Sequence, residues 1–266
     1  MAVEKVAPPS FETAEHYAYQ QIRGEILSGE LPGGASLNQD EIAKRLNVSR
    51  TPIRQAFLRL GSEGLITNRP HHGSVVTSLS AHDIFELFEI RSLLEGYAVS
   101  LAVSKLDARS RNTLKTRAAA LEKSETSSKH WLDLHNEFHN FLCSLADRPR
   151  LVEQVSSLRQ RVIPYLRLYL SANKGTEIRG HEHQTILSVI ESGDPVAAEQ
   201  AMRAHVMSAA RGVVEFVSNQ EQAAATGKSG GSAGFDMNQL MKPSVPKPDS
   251  QAGTSRTQSP ERRRNR

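Results

Sequence analysis

The stretch LNVSRTPIRQAFLRLGSEGLITNRPHHGSVVT, residues 46–77, constrains the fold more than any other, because it sets a basic amphipathic helix immediately before two β-rich runs. Ser49 reads as an N-cap whose hydroxyl accepts from the free N–H groups of the first helical turn. Pro52 falls inside that turn, where its missing N–H has no intrahelical partner to lose. Ile53, Ala56, Phe57 and Leu60 recur at three- and four-residue spacing, so one face of this helix is core. The opposite face keeps Arg50, Thr51 and Arg54, with the two arginines one turn apart. Gly64 stops the helix, and the runs LITN and SVVT flank a basic tip from Arg69 to Gly73. Upstream, Asn38 caps a shorter helix, with Glu41 three residues on and Ile42, Ala43 and Leu46 on one side. A support helix, a turn around Val48, a second helix and a β-hairpin predict a winged helix-turn-helix. In that arrangement the N-terminal end of the second helix enters a major groove. Arg50 and Arg54 can fork onto guanine O6 and N7 there, and His72 and Gly73 at the hairpin tip suit a loop that approaches phosphates or a minor groove.

The run SGELPGGASLNQDEIAKRLNVSRTPIRQAFLRLGSEGLI resembles the GntR-type bacterial transcription regulators. The resemblance covers about residues 14–79 and rests on the Gly29 to Gly33 entry, the S-R-T-P-x-R core and the E-G-L before the wing. It implies that Arg50 and Arg54 touch operator DNA and that His72 and Gly73 reach the adjoining groove. Where some relatives carry a further arginine on the support helix, this chain has Asp40, which implies less base contact from that helix.

The chain has 266 residues, more than one typical domain, and 38% of them are hydrophobic, enough for a packed core. No long apolar segment spans a membrane, the N-terminus MAVEKVAPPS has no signal-type hydrophobic region, and Cys143 alone cannot form an internal disulfide. A cytoplasmic protein is expected. The net charge of +4 sums unlike parts, the basic ones being the predicted DNA-binding segment and the terminal ERRRNR. Composition places a DNA-binding domain at 12–79 and an all-α domain at 80–219, its first helix capped by Ser80. Residues 220–266, rich in Gly, Ser, Pro, Lys and Gln, read as a disordered basic tail. The expected fold class is mainly α: a winged helix-turn-helix with a small β-hairpin wing, then a helical bundle, then the tail.

The second informative signal is a set of histidines. His135 and His139 in LDLHNEFHNFL are four residues apart and share a helix face, so two imidazoles can converge on one ion. Gly193, Asp194 and Pro195 read as the turn of a helical hairpin, with His183 ten residues before Gly193 and His205 twelve after it. At a rise of about 1.5 Å per residue both stand about 15–18 Å from the turn, side by side on antiparallel helices. This coincidence of height makes His135, His139, His183 and His205 candidates for holding a divalent transition metal, but spacing alone does not establish that they converge. Arg91 and Glu95, four apart on an apolar helix, form a buried pair that is either structural or faces a cavity. Arg161, Tyr165, Arg167 and Tyr169, on a helix containing Pro164, are the other candidates for holding an acidic ligand.

The motifs E-F-H-x-x-L, E-H-x-x-I-L-x-x-I-x-x-G-D and A-x-x-x-x-x-H-V resemble the FCD effector domain of the FadR subfamily of GntR regulators, over residues 84–217. The resemblance implies metal ligands at His139, His183 and His205. His135 stands where that family usually has an aspartate, and replacing a hard anionic oxygen by imidazole favours Zn, Ni, Co or Cu over Mn, with Zn or Ni foremost. The expectation is a homodimeric repressor that binds double-stranded operator DNA under the control of a small carboxylate effector held at the metal site. A direct metal sensor and a regulator with a vestigial pocket are the alternatives. No catalytic residue is assigned, since Glu137 and Glu182 adjoin the expected ligands rather than oppose them.

Overall fold

A computed structural model describes residues 13–69, 73–124, 129–172 and 181–226. The N-terminal part begins with α1 (Ala14–Ser28), capped by Thr13 and closed by Gly29 in the left-handed conformation. The sequence reading assigns neither α1 nor β1 (Ser36–Leu37), and the two residues of β1 are too few to show a period. Asn38 caps α2 (Gln39–Leu46), its Oδ1 accepting from the N–H groups of Asp40 and Glu41. Asn47 at φ 55° ends that helix, and asparagine is among the few residues that tolerate such a φ. The chain then turns directly into α3 (Arg50–Ser62).

Ser49 does occupy the N-cap of α3, but its hydroxyl makes no capping hydrogen bond, contrary to the reading from sequence. An N-cap serine takes the N–H of the second or third helical residue; the third here is Pro52, which has none, and the N–H of the second, Thr51, is not taken by the hydroxyl. Gly64 at φ 74° reverses the chain after α3, leading into β2 (Ile66–Arg69) and β3 (Gly73–Val76). The sheet order is β1-β3-β2, all antiparallel, with Ser36 opposite Val75 and Thr67 opposite Val75 on the other side. Ile22 and Ile26 of α1, Ile42 and Leu46 of α2, and Ile53, Phe57 and Leu60 of α3 share one core with Leu65, Ile66 and Val76. Burying those apolar faces together leaves the Arg50 and Arg54 face outside.

Ser80 forms a capping box with Asp83 and starts α4 (Ala81–Val103). There follow α5 (Ala108–Lys123), α6 (Lys129–Ser144), α7 (Pro149–Ala172), α8 (His181–Glu191) and α9 (Pro195–Thr226). Helix α4 is the central element, buried along Ile84, Phe85, Phe88, Ala98, Val99 and Ala102. Gly193 at φ 80° makes the α8–α9 turn, and Asp194 Oδ1 caps α9 by accepting from the N–H groups of Val196 and Ala197. Helix α9 runs to Thr226, past residue 219 where the sequence reading ended the domain. Gln, Glu and Ala propagate a helix without an apolar stripe, and Glu221 accepts from the Ala81 N–H at 3.2 Å, which ties the extension to α4. The remainder of the basic tail lies outside the described residues.

Close approach of α4 and α9 depends on Gly96. A Cβ there would lie 2.8 Å from Arg203 Cγ and 3.1 Å from the Glu199 carbonyl oxygen, a backbone atom that cannot step aside. Gly96→Ala is expected to destabilise the protein by about 1–3 kcal/mol despite the gain in helix propensity. Urea unfolding checks this, and an unchanged midpoint would mean that the two helices separate freely.

Candidate metal centre and nucleic-acid interface

On α3 the side chains of Arg50, Thr51 and Arg54 are exposed, while Ile53, Ala56 and Phe57 are buried beneath them. Leu58, one turn beyond Arg54, is also exposed at 57%, an apolar addition to this face that the sequence pattern did not single out. Asp40 on α2 meets Arg50 side-on, Oδ1 against Nε and Oδ2 against Nη2, so the outer edge of the guanidinium stays available. Gly73 opens β3 at φ 73°, a conformation that favours glycine. His72 lies outside the described residues.

The second constellation is buried. Helix α6 contributes His135 and His139, α8 contributes His183 and α9 contributes His205, and one ring nitrogen from each lies within 4.8 Å of the others. His139 and His183 are 1% and 0% exposed, and His135 and His205 are also buried. His139 Nε2 and His205 Nε2 stand 3.2 Å apart. Two imidazoles bound tetrahedrally at about 2.0–2.1 Å would place their nitrogens about 3.3 Å apart. The donor set fits a transition-metal ion on that measure, and His135 Nδ1 is buried without a hydrogen-bond partner.

Charge around the cluster is unusual. Burial lowers the pKa of His139 to about 3, against the opposing pull of Glu95, and burial followed by the neighbouring histidines holds His135 well below its ordinary value. Both rings are therefore neutral, with a lone pair to offer. Glu95, 0% exposed, places Oε2 at 3.3 Å from His139 Nδ1 and at 2.9 Å from Arg159 Nη2. Its Oε1 accepts from Arg91 Nε at 3.0 Å. Burial alone would raise the Glu95 carboxyl, but the Arg159 and Arg91 charges outweigh it and hold the pKa well below the carboxylate range. A carboxylate beside Nδ1 orients the ring and leaves Nε2 facing His205. Two buried guanidiniums share this one carboxylate, so the trio carries an excess positive charge.

A cavity of about 220 Å³ adjoins the histidines and is lined by Arg91, Trp131, Tyr169, Arg211 and Glu215 together with His135, His139 and His205. Trp131 stacks on His135 with ring centroids 4.9 Å apart. Of the three arginines named from the sequence as ligand-holding candidates, only Arg91 lines this cavity. Arg161 instead packs where a Gly64 Cβ would sit, its Nε 3.0 Å from that point, against the end of α3. Arg167 lines a different cavity, with Arg23 of α1. Sequence reasoning missed Arg159, because only the packing of α7 against α4 and α6 brings it to Glu95. It also missed Arg211, six residues beyond His205 on α9.

Residues 15–76 match the family described as bacterial regulatory proteins, gntR family, and residues 86–208 match the FCD domain. The probable D-xylose utilization operon transcriptional repressor of Paenarthrobacter nicotinovorans is 32% identical over 183 residues, covering 68% of this chain and 80% of that protein. The chain belongs to the GntR family. The transcriptional repressor RspR of Escherichia coli is 26% identical over 217 residues, 80% of this chain and 94% of that one. The fold is shared with the solved structure of E. coli McbR/YncC, at a TM-score of 0.65 and 22% identity, over 79% of this chain and 100% of the other. This GntR protein is thus a transcription regulator with an FCD domain, and no helix among its described residues is long and apolar enough to cross a membrane.

Proposed function

We propose that this GntR regulator is a cytoplasmic, homodimeric repressor that releases or binds its operator in response to a small carboxylate held beside a metal-loaded histidine cluster. The observation that carries the reading is the juxtaposition of four convergent imidazoles with the Arg91-lined cavity. A buried cation without a full counter-charge is costly, and the Arg91, Glu95 and Arg159 trio has two cations for one anion. An anionic ligand at Arg91 relieves that imbalance. The metal, when bound, would supply a Lewis-acidic centre next to the same anion, and a set of imidazole nitrogens selects Zn or Ni over Mn. His139, His183 and His205 hold it, and His135 takes the fourth place. Repression follows the names of the two relatives above.

DNA is read by Arg50 and Arg54, with Thr51, Gly73 and His72 placing the backbone. Asp40 engages the Nε edge of Arg50 and leaves the outer fork free for guanine. Arg50→Ala and Arg54→Ala are each expected to weaken specific operator binding by about 1–3 kcal/mol with no loss of fold. Gel-shift titration against operator and scrambled duplexes tests this, and unchanged operator affinity in both variants would remove α3 as the reading helix. The dimer rests on an exposed apolar stripe of α4, Ile90, Leu93 and Tyr97, each about half exposed in the single chain. Two-fold symmetric helix-turn-helix proteins protect two half-sites about 34–36 Å or a multiple apart. A footprint over one asymmetric site bound by a monomer would contradict the homodimer.

One observation favours a second reading, direct metal sensing: four protein nitrogens complete a tetrahedral shell and leave no position for a ligand. Operator binding by the metal-loaded protein separates the two. Under direct sensing, adding or removing Zn alone switches DNA binding. Under carboxylate control the metal-loaded protein still needs the organic acid.

A further inference from the structure

A second cavity, of about 270 Å³, lies between α1 of the DNA-binding head and helices α6 and α7 of the helical domain. It shares Arg159 with the trio around Glu95 but is lined by none of the four histidines. Arg23 of α1 and Arg159 and Arg167 of α7 line it with Asn136 and Asn140 of α6, and Asp133, on the exposed side of α6, is the one carboxylate among its walls. Three guanidiniums around one small space repel one another unless something negative stands between them.

Arg159 is 3% exposed. Its Nη1 donates to Asn140 Oδ1 at 2.5 Å and its Nη2 faces Glu95, already shared with Arg91, while its Nε is buried without a hydrogen-bond partner. The Nε of Arg167 is likewise buried and unpartnered. Arg23 Nε has only the distant Glu63 carboxylate, at 3.9 Å. A buried donor left without an acceptor is costly, and all three of these belong to residues that line one cavity. Gly24 leaves room on the α1 wall, since a Cβ there would meet nothing within 4 Å.

We propose that this interdomain cavity is a second ligand site, for a small doubly charged oxyanion, a phosphate ester or a dicarboxylate, clamped by Arg23, Arg159 and Arg167. Guanidinium forks match both carboxylate and phosphate oxygens. An anion bound there joins α1, whose Ile22 and Ile26 are in the core under α3, to α6, whose His135 and His139 immediately precede Asn136 and Asn140. Occupancy therefore bears on how α1 is held against α6 and α7, and reaches the histidine cavity only through Arg159 and Glu95.

Thermal unfolding of the full-length, metal-loaded protein tests the site, with inorganic phosphate in one arm and succinate in another, both at ionic strength matched with sodium chloride. A ligand that binds only the folded state raises the midpoint in a saturable way. At least one of the two anions is expected to do so, phosphate alone indicating a phosphorylated ligand and succinate alone a dicarboxylate. Arg23→Gln and Arg167→Gln are each expected to weaken the apparent affinity by about tenfold, the worth of one charge-assisted hydrogen bond. Gly24→Leu, which fills the space and leaves every arginine in place, should abolish the response. No saturable shift with either anion, or an undiminished one in all three variants, overturns the proposal. A shift lost in His135→Ala but kept in the Arg23 and Arg167 variants also overturns it, and places the anion in the histidine cavity instead. A shift kept in His135→Ala, with no metal bound by any form of the protein, would reject the metal reading while this one stands.

Discussion

Replacing Glu95 by glutamine is expected to destabilise the protein by about 3–5 kcal/mol, the cost of leaving buried charge without its partner. The carboxylate is 0% exposed and is the shared counter-ion of Arg91 and Arg159, both also buried. The amide keeps the shape and removes the charge, so packing cannot account for a loss of that size. Urea unfolding reads it as a lower midpoint at constant slope. Glu95→Gln combined with Arg159→Met should recover part of the loss, because the double variant has one fewer unpaired cation and keeps the volume of the long side chain. A loss below about 1 kcal/mol, the range of exposed pairs, would mean that water reaches the trio and that its charge excess is illusory. The same variant is expected to weaken metal binding by about 10–100-fold, as removal of a carboxylate that orients a histidine ligand typically does.

Metal content gives the other large effect. Purified protein is expected to carry close to one transition-metal ion per chain, and His139→Ala, His183→Ala or His205→Ala should each reduce occupancy sharply. Losing one of these imidazoles leaves an incomplete shell in a closed, buried site. His135→Ala is a graded test: a true fourth ligand weakens the site substantially when removed, whereas retained metal with an altered ligand response assigns that position to the effector. A bound ion stabilises the folded chain by about 4 kcal/mol when present at a thousand times its Kd, so a chelator should lower the unfolding midpoint of the parent protein and not that of His183→Ala. Metal-free protein with a normal midpoint and normal ligand response would show that four buried histidines meet here for packing alone.

Much of this molecule is legible along the chain. The helix-turn-helix is local: α2, the turn at Asn47 and α3 occupy fewer than thirty consecutive residues, and their apolar spacing alone decides which face is left for Arg50 and Arg54. The pairing of His183 with His205 is also local, since a tight turn at Gly193 and a constant rise per residue put them at the same height. His135 with His139 follows from a single helical turn. Strand β1 could not be read, because two residues become a strand only through their partner β3. Pro52 removes one of the two N–H groups that a Ser49 cap could take, which the sequence shows directly.

Local periodicity along the chain settles the exposed Arg50 and Arg54 face of α3, the two histidine pairs and the Arg91 to Glu95 step along α4. Tertiary structure decided how those pieces meet. It brought the two histidine pairs to a single point, set Arg159 of α7 against Glu95, and sent Arg161 and Arg167 away from the histidine cavity toward the DNA-binding head. The physical reason is that a helix specifies its own face at 3.6 residues per turn but not the rotation and depth at which it packs. Those are chosen by the interlocking of side chains from distant segments, such as the close approach at Gly96.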